Sequence, residues 1–186
     1  MNGLTLAALI ALQPLAAPQD PDAPIATVAA AESTDALRVR EAIAYANPMP
    51  RGAPEADYPL VAWCAALVEG HVALGRTLPS DPLDAELIRL GELEARDFRG
   101  ALRAAEARAT PAMKAAAASA EAEASAKWSP LLAQGDVAVR SQGFGLFFGL
   151  PGRCEHAARR IRENITTPPT TLKQAGLDEN GEATGR

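Results

Sequence analysis

Two cysteines, Cys64 and Cys154, stand ninety positions apart in a chain of 186 residues. Cys64 lies in the most apolar helical pattern and Cys154 in the closing one, so a bond between them would loop most of the fold. In an exported chain of this size an even cysteine count points to a disulfide. The alternatives are two buried free thiols, or a redox or catalytic cysteine. For the last there is no Cys-x-x-Cys to lower a thiol pKa.

Export is expected from the other end of the chain. Residues Leu4 to Leu12 form an uninterrupted run of the length of a secretory h-region. It is too short to cross a ~30 Å hydrocarbon core as a helix. The first charged residue is Asp20 and the first basic one Arg38. Small residues from Gln13 to Ala17 place a cleavage after Ala17, although Leu15 and Pro18 fit poorly and no Lys or Arg precedes the run. Residues 1–17 are thus expected as a signal peptide, giving a periplasmic or secreted protein. The competing reading is a frayed or buried N-terminal segment of a cytosolic protein. No cysteine follows the run closely, which disfavours a lipid anchor.

Proline, glycine and capping residues punctuate the rest into helices. Residues 18–32 read as a flexible lead-in, 33–165 as one helical domain, and 166–186, with its Thr/Pro run and Gly/Glu/Asn-rich end, as a disordered tail. Ser33, Thr34 and Asp35 offer cap chemistry before a helix over Ala36 to Ala46, which Asn47-Pro48 stops. Pro59 opens the next one behind a cap at Asp57. There Leu60, Cys64, Leu67, His71 and Leu74 share a face that Val61, Val68 and Val72 widen, so the helix is expected to be buried on most sides. Gly70 and Gly75 cost it about 1 kcal/mol each, which close approach of another helix would justify.

Ser80-Asp81-Pro82 starts a helix running to about Ala109. Its single stripe is Leu83, Leu87, Leu90, Phe98, Ala101 and Ala105, interrupted by Glu94, with Glu92 and Arg96 paired on the exposed side. Thr110-Pro111 repeats the signal, and a further helix runs to Lys127 or Trp128. Over half the positions from Ala101 to Lys127 are alanine. Alanine favours helix and buries little surface, so these two helices are expected as a long antiparallel hairpin that protrudes from or braces a compact base. A break at 129–135, a helix from Asp136 toward Leu150 and a last one from Arg153 to Ile165 complete an all-α bundle of five to six helices.

A net charge of −5 spread along the chain leaves no concentrated Lys/Arg footprint for nucleic acid, and it disfavours docking on anionic lipid. Cys64, His71, Cys154 and His156 make a zinc set on paper only. Cys64 and His71 are about 10 Å apart along one helix, and Cys154 and His156 point to different sides of another. His71 reads as a hydrogen-bonded core histidine and His156, beside Glu155, Arg159 and Arg160, as part of a solvated face. Gly143-x-Gly145-x-x-x-Gly149 has the wrong spacing for a dinucleotide fingerprint and reads as helix contact or hinge. Asp178-x-Asn180-Gly181 lacks the first and twelfth ligands of a calcium loop. No nucleophile elbow, zincin or phosphate-loop motif occurs. Glu94, Arg96, Asp97, Arg99 and Arg103 read as the charged flank of a long helix. Trp63 is expected to pack over the bridge, and Trp128 to close the hairpin on the base.

The Trp63-Cys64 start of an apolar helix, its Gly70-His71, and Pro151-Gly-Arg153-Cys154-Glu155 resemble an uncharacterised group of small exported helical proteins of alphaproteobacterial type. The likeness covers the two cysteine neighbourhoods and the helical layout, and it implies export and the bridge but no chemistry. The function expected is therefore non-enzymatic and without a cofactor: an exported module that binds a partner protein or braces an assembly of the cell envelope. One alternative is a small-ligand carrier with a pocket near Trp63, His71, Phe144 and Phe147. Another is an envelope inhibitor or immunity-type protein. The expected contact residues are Trp63, His71, Trp128, Phe144 and Phe147.

Overall fold

A computed structural model describes residues 32–79, 81–147 and 149–184. The expected signal peptide, all of the lead-in except Glu32, and Ser80 and Phe148 lie outside the described residues. The chain divides at Glu32/Ser33, and the unit Ser33–Arg186 carries every helix described here. These are α1 (Thr34–Ala46), α2 (Asp57–Gly75), α3 (Pro82–Ala105), α4 (Pro111–Leu132), α5 (Val137–Gly145) and α6 (Arg153–Arg162), with short 3-10 turns at Glu106–Arg108 and Lys173–Ala175. The fold is an all-α bundle.

The capping chemistry explains most boundaries. Ser33 accepts from the Ala36 amide, Asp81 from the amides of Leu83 and Asp84, Thr110 from Met113 and Asp136 from Ala138, each satisfying first-turn donors that a helix leaves open. Asp57 departs from expectation. It lies inside the first turn of α2 behind an uncapped Ala56, because its carboxylate is engaged elsewhere, as shown below. α6 ends at Arg162, short of Ile165. Asn164 takes a left-handed φ of 57°, and the Ile165 amide returns to the Arg160 carbonyl at 2.9 Å, which closes the helix.

α2 is the axis of the bundle. Fifteen of its 19 residues are buried, including Leu60, Val61, Trp63, Cys64, Val68 and Leu74. It is also long and apolar enough to cross a membrane, with 83% of its apolar window buried within the protein. α3 and α4 form the expected alanine-rich hairpin, and its arms brace α2 from two sides rather than pack on each other. Ala105 and Ala117 meet Tyr58 and Ala62 at one end. Farther along, Gly91 faces Val68 and Val72, and Gly70 lies under the Trp128 indole. Three side chains bind the sandwich across its edge: Arg99 of α3 holds Glu69 of α2 at 2.7 Å and Glu121 of α4 at 2.8 Å.

Several expectations are corrected. α4 runs through Pro130 to Leu132 instead of breaking after Trp128; the proline falls in the last turn, where only one ladder bond is lost. α5 stops at Gly145 rather than near Leu150. Glu92 pairs with Arg76, which caps the end of α2, at 2.7 Å, not with Arg96. The stripe on α3 splits: Phe98, Ala101 and Ala105 are buried, whereas Leu83, Leu87 and Leu90 are exposed. The segment after Ile165, expected as a disordered tail, is described to Thr184. It turns at Lys173–Ala175 against α1 and closes on itself through a Leu177–Ala183 bridge. Asp178, the mock calcium residue, instead accepts the amides of Asn180 and Glu182 within this turn.

Candidate functional site: an aromatic cluster, an ionic junction and an uncovered helix face

The expected bridge is present. Cys64 of α2 and Cys154 of α6 are bonded with their Cα atoms 6.0 Å apart, inside the range disulfides use. Both are fully buried in the main core with Trp63, Phe98, Ala157 and Ala158.

Four of the five expected contact residues come together. His71 stacks on Phe144 with ring centroids 4.2 Å apart, tilts against Phe147 at 4.5 Å, and lies 5.9 Å from Trp128. Trp128 meets Phe147 edge-on at 5.6 Å. Trp63, two turns back along α2, does not join these rings. Proximity here depends on glycine: a Cβ at Gly70 would lie 2.0 Å from the Trp128 ring, and one at Gly75 2.6 Å from Phe144. His71 Nε2 lies 3.1 Å from the Phe144 carbonyl. Burial lowers the imidazole pKa, while that carbonyl works the other way; the neutral ring donates Nε2–H to it. The cluster is self-packed, a seam joining α2, α4 and the end of α5.

A second constellation was missing from the sequence reading. Glu41 of α1, Asp57 of α2 and Arg160 of α6 meet in the interior, where Arg160 is 5% exposed. Arg160 donates Nε to Asp57 at 2.9 Å, Nη1 to Glu41 at 3.1 Å and Nη2 to the Thr167 carbonyl. Tyr45 donates its hydroxyl to Asp57 at 2.6 Å, while Arg159 and Thr170 donate to Glu41. Burial, then the Asp57 carboxylate, pushes the Tyr45 phenol above its usual range. Burial works against the Arg160 charge, but Asp57 and Glu41 outweigh it and raise its pKa. Every arm of the guanidinium is used, so the junction is a clamp holding the last segment on α1. His156 is buried beside it rather than solvated, with its pKa lowered chiefly by that burial.

Two open clefts flank α2. One of about 330 Å³ is lined by Glu69, Val72, Arg76, Glu92, Ala95 and Arg96. Another, about 290 Å³, opens between the hairpin arms over Tyr58 and Ala62, with Arg99, Arg103, Lys114 and Glu121 around it. Neither is lined by a serine, threonine, cysteine or histidine. Among the described residues no group of three His, Cys, Asp or Glu is placed to hold a metal ion.

The remaining feature is the outer face of α3. Leu83, Leu87 and Leu90, at spacings of four and three, are 68%, 41% and 47% exposed. Their stripe continues over Glu94 to Ala101, where α6 covers it: Arg162 pairs with Asp97 at 2.6 Å, and the α6 residues Ala157 and Ala158 share the core with Ala101. Burial, followed by the nearby Glu155 and Asp97, raises the Glu94 pKa. No hydrogen bond or ion pair engages Glu94 among the described residues. No family model, curated protein or solved structure matches this chain.

Proposed function

We propose that this protein is an exported, non-enzymatic helical module that holds a partner protein at the cell envelope. The observation that carries the reading is the leucine row of α3, an apolar helix face left open where the same stripe is covered farther along. A buried disulfide and the apolar run at Leu4 to Leu12 support export, as does the resemblance of the two cysteine neighbourhoods. In the clefts described, Arg76 is already held by Glu92 and Arg99 by Glu69 and Glu121. The inhibitor or immunity-type role is the same act with a particular partner.

The test is to express the full chain in a bacterial host and fractionate the cells. A photo-crosslinking residue is placed at Leu87 and, separately, at exposed Ala115 of α4. The expected result is a shortened, oxidised species outside the cytoplasm, with a discrete protein adduct at Leu87 and none at Ala115. A full-length reduced protein in the cytosol, or no adduct at either position, overturns the reading.

A further inference from the structure

An ion pair crosses between the arms at each end of the hairpin cleft. At one end Arg99 of α3 meets Glu121 of α4 at 2.8 Å and also holds Glu69 of α2. At the other, Lys114 of α4 meets Glu106 of the turn after α3 at 3.6 Å. Between them stands Arg103, one turn past Arg99 and lining the same cleft. Its guanidinium has no hydrogen bond or ion pair among the described residues.

The floor of the cleft carries a second unsatisfied group. Tyr58 is only 8% exposed, with Ala62, Ala105 and Ala117 packed around it. Its hydroxyl nevertheless has no hydrogen-bond partner among the described residues, although a buried phenol ordinarily finds one. Tyr58 also borders a cleft of about 230 Å³ toward α6. There Arg108 is taken by the Ile161 carbonyl and Arg160 by Asp57 and Glu41. Of the two clefts, the one in the hairpin sets the free hydroxyl beside a free cation. Its remaining walls include Ala62, Leu102, Ala117 and Ala118.

We propose that this cleft binds a small organic anion, a carboxylate with a short apolar body. The carboxylate pairs with Arg103 and accepts from the Tyr58 hydroxyl, while the apolar body lies on Leu102 and the alanines. At about 290 Å³ the space falls at the lower end of the ~300–1,000 Å³ of ligand clefts. That suits a short-chain acid and is too small for a dinucleotide. An inorganic anion would leave the apolar walls bare. Arg103 is thirteen residues past Leu90, about 20 Å along the helix. The site therefore stands whether or not the leucine row holds a partner.

The probe is sodium hexanoate, titrated at fixed ionic strength into the isotope-labelled, oxidised full chain and read by amide chemical shifts. Saturable shifts centred on Tyr58, Ala62, Leu102 and Ala117 are expected, with a dissociation constant of about 0.1–1 mM. Hexan-1-ol, which lacks the charge, and inorganic phosphate, which lacks the apolar body, should each bind about fivefold or more weaker. Arg103→Gln should weaken hexanoate by about tenfold or more, and Tyr58→Phe, which removes only the hydroxyl, by about threefold. Arg96→Gln should change nothing. Arg96 lines the other cleft beside α2, also without a partner among the described residues, but no tyrosine lines that cleft. Arg103 and Arg96 are exposed and hold no other group, and retained amide spectra confirm that the variants fold. Shifts that never saturate, or equal affinity for hexan-1-ol or phosphate, would overturn the site. So would an affinity that neither Arg103→Gln nor Tyr58→Phe alters. An equal loss in Arg96→Gln would also overturn it, by marking hexanoate as a counter-ion of any free arginine.

Discussion

Replacing the Cys64–Cys154 bridge with Cys64→Ser/Cys154→Ala is the most informative perturbation of stability. The two half-cystines are 90 residues apart. In the chain-entropy treatment, closing a loop of that length in the unfolded state is worth about 4–5 kcal/mol at 25 °C. The serine hydroxyl adds a small cost at Cys64, whose site is fully buried. For a domain of this size each kcal/mol moves the melting temperature by about 2–4 °C, so a fall of about 10–15 °C is expected. The measurement is circular dichroism melting of the oxidised wild type, the wild type unfolded and refolded with reductant, and the variant. The last two should melt within a few degrees of each other. A variant melting within about 3 °C of the oxidised protein would refute the argument, because the loop would then already be restrained when unfolded.

Three further outcomes are expected. Gly70→Ala places a methyl 2.0 Å from the Trp128 ring; overpacking outweighs the gain in helix propensity, costing about 1–2 kcal/mol net in denaturant titration with a red-shifted tryptophan emission, and an unchanged midpoint would count against it. Arg160→Leu strands Glu41 and Asp57 and should cost about 3 kcal/mol, part of which Glu41→Gln in the same chain restores; a double variant no better than the single one contradicts the ionic junction. His71 and His156 both have lowered pKa values through burial, so the folded state resists the protonation that the unfolded chain accepts. Their contribution is complete above the unfolded value near 6.5 and is lost as pH falls below it. Melting temperatures at pH 7.5 and 5.5 should differ less in His71→Gln than in the wild type, and equal differences would exclude the histidine.

Local chemistry made much of the helical plan legible. Asp81-Pro82 and Thr110-Pro111 announce their helices because a side-chain cap and a fixed φ act within one turn. Gly70 and Gly75 signalled close approach, and Trp128 and Phe144 supply it. The bridge followed from composition and parity. What escaped were arrangements decided between distant segments. Nothing near Glu41 or Arg160 in the sequence says that either is buried, since each is neutralised by residues more than a hundred positions away. The same holds for the chain after Ile165: its polar composition reads as tail, yet Thr167 and Thr170 find the junction and fold it down. The α3 stripe was visible as apolar, but its division depends on where α6 ends, which periodicity does not encode. Pro130 misled because a breaker signal is strong in isolation and weak in a final turn.

The order in which the cysteines are made has a consequence of its own. Ribosomes deliver about 5–20 residues each second, so Cys64 emerges roughly 5–18 s before the sulfur it must find. Early in that interval the oiliest helix is complete and unsheltered, and its flanking arms α3 and α4 follow before the second sulfur arrives. A growing chain in this condition invites holding factors and mispairing with any passing thiol. Its fidelity of assembly rests on the closing ten-residue helix arriving before such an encounter does.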